Sequence, residues 1–200
     1  MRIVTLLQLR LGSFSLSKGM SALTIEIPLL GRMTRDRQFS NWLCSEPIAV
    51  PFLNDQIGEF TLESYEQDRA KEDFHATIAN LLAARPEVLE EIEPYLFQYY
   101  EDCQNFVEEE DEVRIDTPKD VWKFVRIEPS FMISRRGYGD EKVYVSFGGG
   151  VEWEEEHGLQ IVMREGKEVV KIGPYDGHLT NSDAFDDETL ENVIYVRVGQ

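Results

Sequence analysis

The sequence predicts an α+β fold. Antiparallel sheet formed by N-terminal and C-terminal strands surrounds a central pair or trio of helices packed on one side. Three observations point there. Near the start, residues 23–30 (LTIEIPLL) and 59–65 (EFTLESY) alternate apolar and polar residues with a period of two. From Asp68 the apolar residues recur at the 3.6-residue spacing of an amphipathic helix. From Ser130 onward the chain returns to short β-branched and aromatic runs. Strands, then helices, then strands is the order of an α+β domain, not of alternating βαβ units.

Taken in order, residues 1–20 are expected to be an extension outside the fold, disordered or preceding the true start at Met20, because a strand pattern opens directly after Met20. Arg10 interrupts the apolar core that a secretory signal would need. Residues 21–200 are then one α+β domain, a length that buries a full core. After the first strand, residues 31–45 read as irregular, with a basic island of Arg32, Arg35 and Arg37. Residues 48–52 are a short strand with Pro51 at its edge. Asn54 and Asp55 supply a turn into the 59–65 strand, whose Phe60 and Leu62 share a face.

The first helix runs from Asp68, a capping residue, to about residue 84. Phe74, Ile78, Leu81 and Leu82 lie on one face and His75 sits at its boundary. Pro86 opens a second helix to about residue 106, with Val88, Leu89, Ile92, Leu96 and Tyr99 as its stripe; Pro94 inside it predicts a kink or a break. Residues 108–112 (EEEDE) read as a solvated acidic loop. Thr117-Pro118-Lys119-Asp120 starts a short packed helix through Val121, Trp122, Phe124 and Val125. Strands follow at 131–134 and 143–147 (VYVSF). Gly148-Gly149-Gly150 is expected to break the second, and residues 193–198 (VIYVRV) form the last strand.

Between these lies a hairpin. Residues 159–163 (LQIVM) and 169–172 (VVKI) are joined across Arg164-Glu165-Gly166-Lys167. Its outer ends carry Glu156-His157-Gly158 and Tyr175-Asp176-Gly177-His178, so closing the hairpin brings two of the three histidines toward one another. Trp153, Glu154, Glu156, His157, Asp176 and His178 are therefore the candidate functional cluster. Thr180 and Asp183 fit a capping box beyond it.

The strings W-E-x-E-H-G-L-Q (residues 153–160) and D-G-H-L-T (176–180), with Asp183-Ala184-Phe185, resemble a bacterial domain family of unknown function. The segment from Pro51-Phe52-Leu53 through Gln98-Tyr99-Tyr100 resembles the first half of that family, so the likeness spans roughly residues 25–195. It implies a single α+β domain and carries no activity. Gly148-Gly149-Gly150 departs from the pattern.

Composition bounds the function. The net charge of −18 repels nucleic-acid phosphates and anionic membrane surfaces, so neither is expected as a partner, and it suits a basic protein. Cys44 and Cys103 stand in no metal or redox spacing, which fits a reducing cytoplasm. The triple glycine lacks the Gly-Lys-Ser/Thr of a phosphate loop. No nucleophile context accompanies the histidines, and no cofactor is expected. Two chemical readings stay open. His157 and His178 with Glu156 or Asp176 make a two-histidine, one-carboxylate set suited to a divalent metal. Asp176 and His178 could pair to orient an imidazole for hydrolysis. A structural account competes with both: Trp153 packs beneath the hairpin, the histidines tie its ends, and Asp176 and Thr180 set the turn and helix. The expected function is non-catalytic binding of a protein partner, immunity-like or regulatory, with Glu101, Asp102 and residues 108–112 as the acidic surface. A metal-dependent or Asp/His-assisted hydrolase is the alternative.

Overall fold

The structure is a computed structural model that describes residues 24–105 and 113–197. The expected extension 1–20 and the acidic run 108–112 lie outside the described residues. The first strands are β1 (Thr24–Ile27), β2 (Gly31–Arg35), β3 (Trp42–Ser45), β4 (Ile48–Val50) and β5 (Gln56–Glu63). After helices α1 (Lys71–Ala83) and α2 (Glu87–Gln104) come β6 (Val125–Arg135), β7 (Val143–Val151), β8 (Glu154–Arg164), β9 (Glu168–Gly173) and the short helix α3 (Asn181–Phe185). Nine strands among the described residues form one sheet in the order β1-β2-β3-β5-β6-β7-β8-β9, with β4 on the remaining part of β5. Strands from both ends of the chain thus share one sheet, with the helix pair on one face, as expected.

The sheet is mixed, where antiparallel pairing was expected. β5 and β6 run parallel, because the two-helix connection between them returns the chain to the end of the sheet where β5 began. Residues 31–45 are not irregular but supply β2 and β3. Each strand buries one apolar side chain, Met33 and Leu43, too few to register as a periodic run. The helix α2 runs unbroken past Pro94, which lies on its exposed side, where the Glu90 carbonyl deprived of its donor faces water. The triple glycine does not end β7. The ladder continues through Glu128–Gly148, Ile127–Gly149 and Arg126–Gly150. Neighbouring backbones crowd in so closely that a Cβ on Gly148 would stand 1.8 Å from the Leu159 carbonyl oxygen, and one on Gly149 1.9 Å from that of Arg126.

The predicted hairpin is β8–β9. Glu165 and Gly166 both take positive φ in its turn, and Asn80 of α1 donates to the Glu165 carbonyl at 2.9 Å. Thr180 caps α3, accepting from the Asp183 N–H at 3.1 Å. The described part of the last predicted strand, 193–197, is not a strand. Its one ladder-like bond runs from the Ile172 N–H to the Ile194 carbonyl at 2.8 Å. The Val193 and Ile194 carbonyls are also claimed by the Asn181 side-chain amide.

Alternation gives the sheet two different faces. One carries the register row Leu43–Leu62–Ile133–Val145–Met163 and packs with Phe60, Phe131 and Phe147 against Phe74, Ile78 and Leu81 of α1 and Ile92 and Leu96 of α2. The other, far face carries Cys44–Thr61–Met132–Ser146–Val162–Lys171 in register. Its β8–β9 end is covered by the segment after β9, where Leu179 packs on Tyr144, Val162 and Val170. The rest, over β3, β5, β6 and β7, is uncovered among the described residues. No helix among the described residues is long and apolar enough to cross a membrane.

Candidate functional site

The first motif folds as a turn anchored at both ends. Trp153 is buried against α2, its ring centroid 5.9 Å from those of Tyr99 and Tyr100. The Glu154 carboxylate then accepts from three successive backbone N–H groups, those of Glu156 at 3.0 Å, His157 at 2.9 Å and Gly158 at 2.9 Å. The Tyr99 hydroxyl donates to it at 3.2 Å and His157 Nδ1 lies 3.3 Å away. Burial pushes this carboxyl up, but the bonds from the His157 backbone and ring, Tyr99 and Glu156 outweigh it and hold the group below its ordinary 4.5. Such a group contributes stability that is complete above 4.5 and is lost as pH falls through the depressed folded value. Glu154→Gln sets an amide NH2 among those donors, and is expected to cost about 1–3 kcal/mol near neutrality. Urea unfolding should show the variant's deficit shrinking in acid.

The second motif is a strap across the far face of β8 and β9. Gln160, buried, donates to the Ser146 hydroxyl at 2.9 Å and the His178 carbonyl at 3.2 Å, and accepts from the Asp176 N–H at 3.3 Å. The Asp176 carboxylate pairs with the buried Lys171 ammonium and accepts from the His178 N–H at 2.8 Å. The Tyr175 N–H donates to the His157 carbonyl at 3.4 Å. The hairpin therefore does join the two motifs, but through backbone groups and Gln160.

The side chains of the candidate cluster do different work. Trp153, Glu154 and Asp176 are committed to core, turn and strap. Glu154, Glu156 and His157 each offer one ligand atom within 4.8 Å of the others, a set that could hold a divalent cation. An ion there would compete for both Glu154 oxygens with the N–H donors they already hold. His178 lies outside that set, and the Asp176 carboxylate meets its backbone N–H, so the structure assembles neither the two-histidine set nor an Asp–His pair.

Among the described residues the side chains of Glu156, Tyr175 and His178 make no hydrogen bond or ion pair and His157 gives its ring to Glu154 alone; all four are exposed. They border the uncovered far face, where two adjoining hollows of about 460 and 400 Å³ share Met132, Ser146 and Tyr175. His157 lines the first hollow and His178 the second. Sequence reasoning missed the floor and far wall: Thr61, Ser130, Met132 and Ser146, with Arg126 and Glu128 of β6. The signal was present in the alternation, which sets Thr61 opposite Phe60 and Leu62, and Ser146 opposite Val145 and Phe147. The proposed acidic surface on α2 is corrected in part: Asp102 is buried, accepting from the Tyr195 hydroxyl at 2.9 Å and paired with Arg197 at 3.0 Å.

No curated protein and no solved structure matches the chain. Residues 29–179, which run from the first hairpin through the first motif and all of the second except its capping threonine, match a family described as Domain of unknown function (DUF6985), and the chain belongs to that family.

Proposed function

We propose that the chain is a non-catalytic binding module that seats a basic protein partner on the uncovered far face of its sheet. One observation carries this: the hollows there are bordered by Glu63, Glu155 and Glu156, carboxylates in no ion pair among the described residues, beside the exposed rings of Tyr138 and Tyr175. Unpaired acids beside exposed aromatic rings suit a cationic surface, and the net charge of −18 steers such a partner from a distance. The free thiols Cys44 and Cys103 suit the reducing cytoplasm in which we place it. The second reading, a metal-dependent hydrolase, draws on the Glu154, Glu156 and His157 set. Metal analysis of the protein and of a folded His157→Ala variant separates the two.

The test compares two triple charge reversals in salt-eluted capture from a cell extract. Glu63→Lys/Glu155→Lys/Glu156→Lys alters the far face. Glu87→Lys/Glu90→Lys/Glu91→Lys alters exposed acids of α2 and makes the same change in net charge. Three rim charges at about 0.5 kcal/mol each amount to about tenfold in affinity. The far-face set should therefore lose the captured protein at much lower salt than the helix set. Equal losses from both sets, or no salt-eluted partner at all, would overturn the proposal.

A further inference from the structure

Of the three glycines in β7, Gly148 and Gly149 are dictated by neighbouring backbone. Gly150 is not. It is absent from the positive-φ residues, and an added Cβ would meet only the end of the Arg126 side chain, at 3.3 Å. A glycine inside a strand costs roughly 0.5–1 kcal/mol relative to alanine, so this one weakens β7 with no local structural return. Its missing side chain is on the far face, since it pairs with Arg126, and it leaves one end of the first hollow floored by bare peptide.

The groups that line this hollow share a chemistry. Glu128, Glu155 and Glu156 supply carboxylates, and Tyr175 and His157 supply ring faces. Among the described residues that line it, Arg126 is the one lysine or arginine. Its side chain is 81% exposed, and its ion pair, with Glu128, is long at 3.7 Å. A guanidinium thus already stands over Gly150, weakly held.

We propose that the Gly150 end of this hollow is the seat of an arginine side chain of the basic partner, which replaces the loosely held Arg126 guanidinium over the bare peptide. The inference rests on the binding reading above and specifies what is bound. A guanidinium is planar and weakly hydrated, so it can lie flat on peptide, stack on a ring and present its fork to a carboxylate; an ammonium does none of these as well.

The test uses two synthetic probes, an acetylated Gly-Arg-Gly-Arg-Gly amide and its lysine twin. Each is titrated calorimetrically into the whole protein and into Gly150→Val at physiological ionic strength. The substitution changes no charge and puts a good strand former on β7, so the variant should unfold no earlier than the parent. The parent should prefer the arginine peptide, and Gly150→Val should weaken that peptide by about tenfold while leaving the lysine peptide unchanged. Equal binding of both peptides by the parent, or equal effects of Gly150→Val on both, overturns the arginine seat and leaves the basic-partner reading standing. Binding of neither peptide overturns the seat and counts against that reading as well.

Discussion

Arg136→Met is expected to destabilise the protein by about 3–5 kcal/mol, a large share of the roughly 5–15 kcal/mol that holds a domain together. The Arg136 side chain is 3% exposed and grips two carboxylates. Its Nη2 and Nε reach Asp183 at 2.5 and 3.0 Å, and its Nη1 and Nη2 reach Glu191 at 2.5 and 2.9 Å. Asp183 is as buried as the arginine, at 5% side-chain exposure, while Glu191 is at 31%. Removing the guanidinium therefore leaves one carboxylate buried without its ion-pair partner, the costly way to break an ion pair. The loss falls on the segment that α3 carries over Tyr144 and Val162. Hydrogen exchange in residues 174–191 should accelerate before the sheet unfolds. A second change, Asp183→Leu, should restore much of the loss in urea melts, because it removes the stranded charge and leaves the Asp183 N–H free to cap on Thr180. An Arg136→Met protein as stable as the parent would show that this cluster does not secure the C-terminal segment.

What could be read from the sequence follows from the range of each interaction. The helices, the hairpin turn at Glu165-Gly166 and the Thr180 cap were legible because neighbours within a few residues decide them. The parallel pairing of β5 with β6 was not, because it depends on where a long helical connection lands. Strands β2 and β3 were hidden because each commits a single side chain to the core. The glycines misled for a related reason: a run of three reads as a break unless the crowding of Leu159 and Arg126 against Gly148 and Gly149 is known. At the candidate site, the motifs led to the right place, and the roles inside them were visible only with partners in hand. Glu154 belongs to the candidate cluster by sequence, yet three backbone N–H groups hold it as the clasp of a turn. Asp176 pairs with Lys171, which the sequence presents as one polar residue in an apolar strand, and meets His178 at its backbone N–H.

That lysine sets the second large effect. Lys171 is 2% exposed on the far face, and its ammonium holds the Asp176 carboxylate and the His178 carbonyl, the latter at 3.3 Å. Burial pushes its pKa below 10.5, against the opposing pull of Asp176. Asp176→Ala removes that pull and also frees the His178 N–H. The expected cost is about 2–3 kcal/mol near neutrality, below the figure for Arg136 because Asp176 is 36% exposed and a lysine, unlike an arginine, can shed its proton. The sign of the pH dependence follows. Between the lowered folded value and 10.5 the unfolded chain binds more protons than the native one, so this group makes stability rise with pH in that window. Without Asp176 the folded value drops further and the window widens toward neutrality, so the variant's deficit should shrink as pH climbs toward 10.5. Denaturant melts at a series of pH values test this, and a deficit constant with pH would mean that the Lys171 charge is not its source. Adding Lys171→Met should recover much of the loss by removing the unpaired ammonium. It should not restore the strap's position at His178, because the His178 carbonyl and N–H both hang from contacts that the Lys171–Asp176 pair makes. A double variant that is stable yet fails to bind would then separate the energetics of the pair from its task of holding one wall of the hollow.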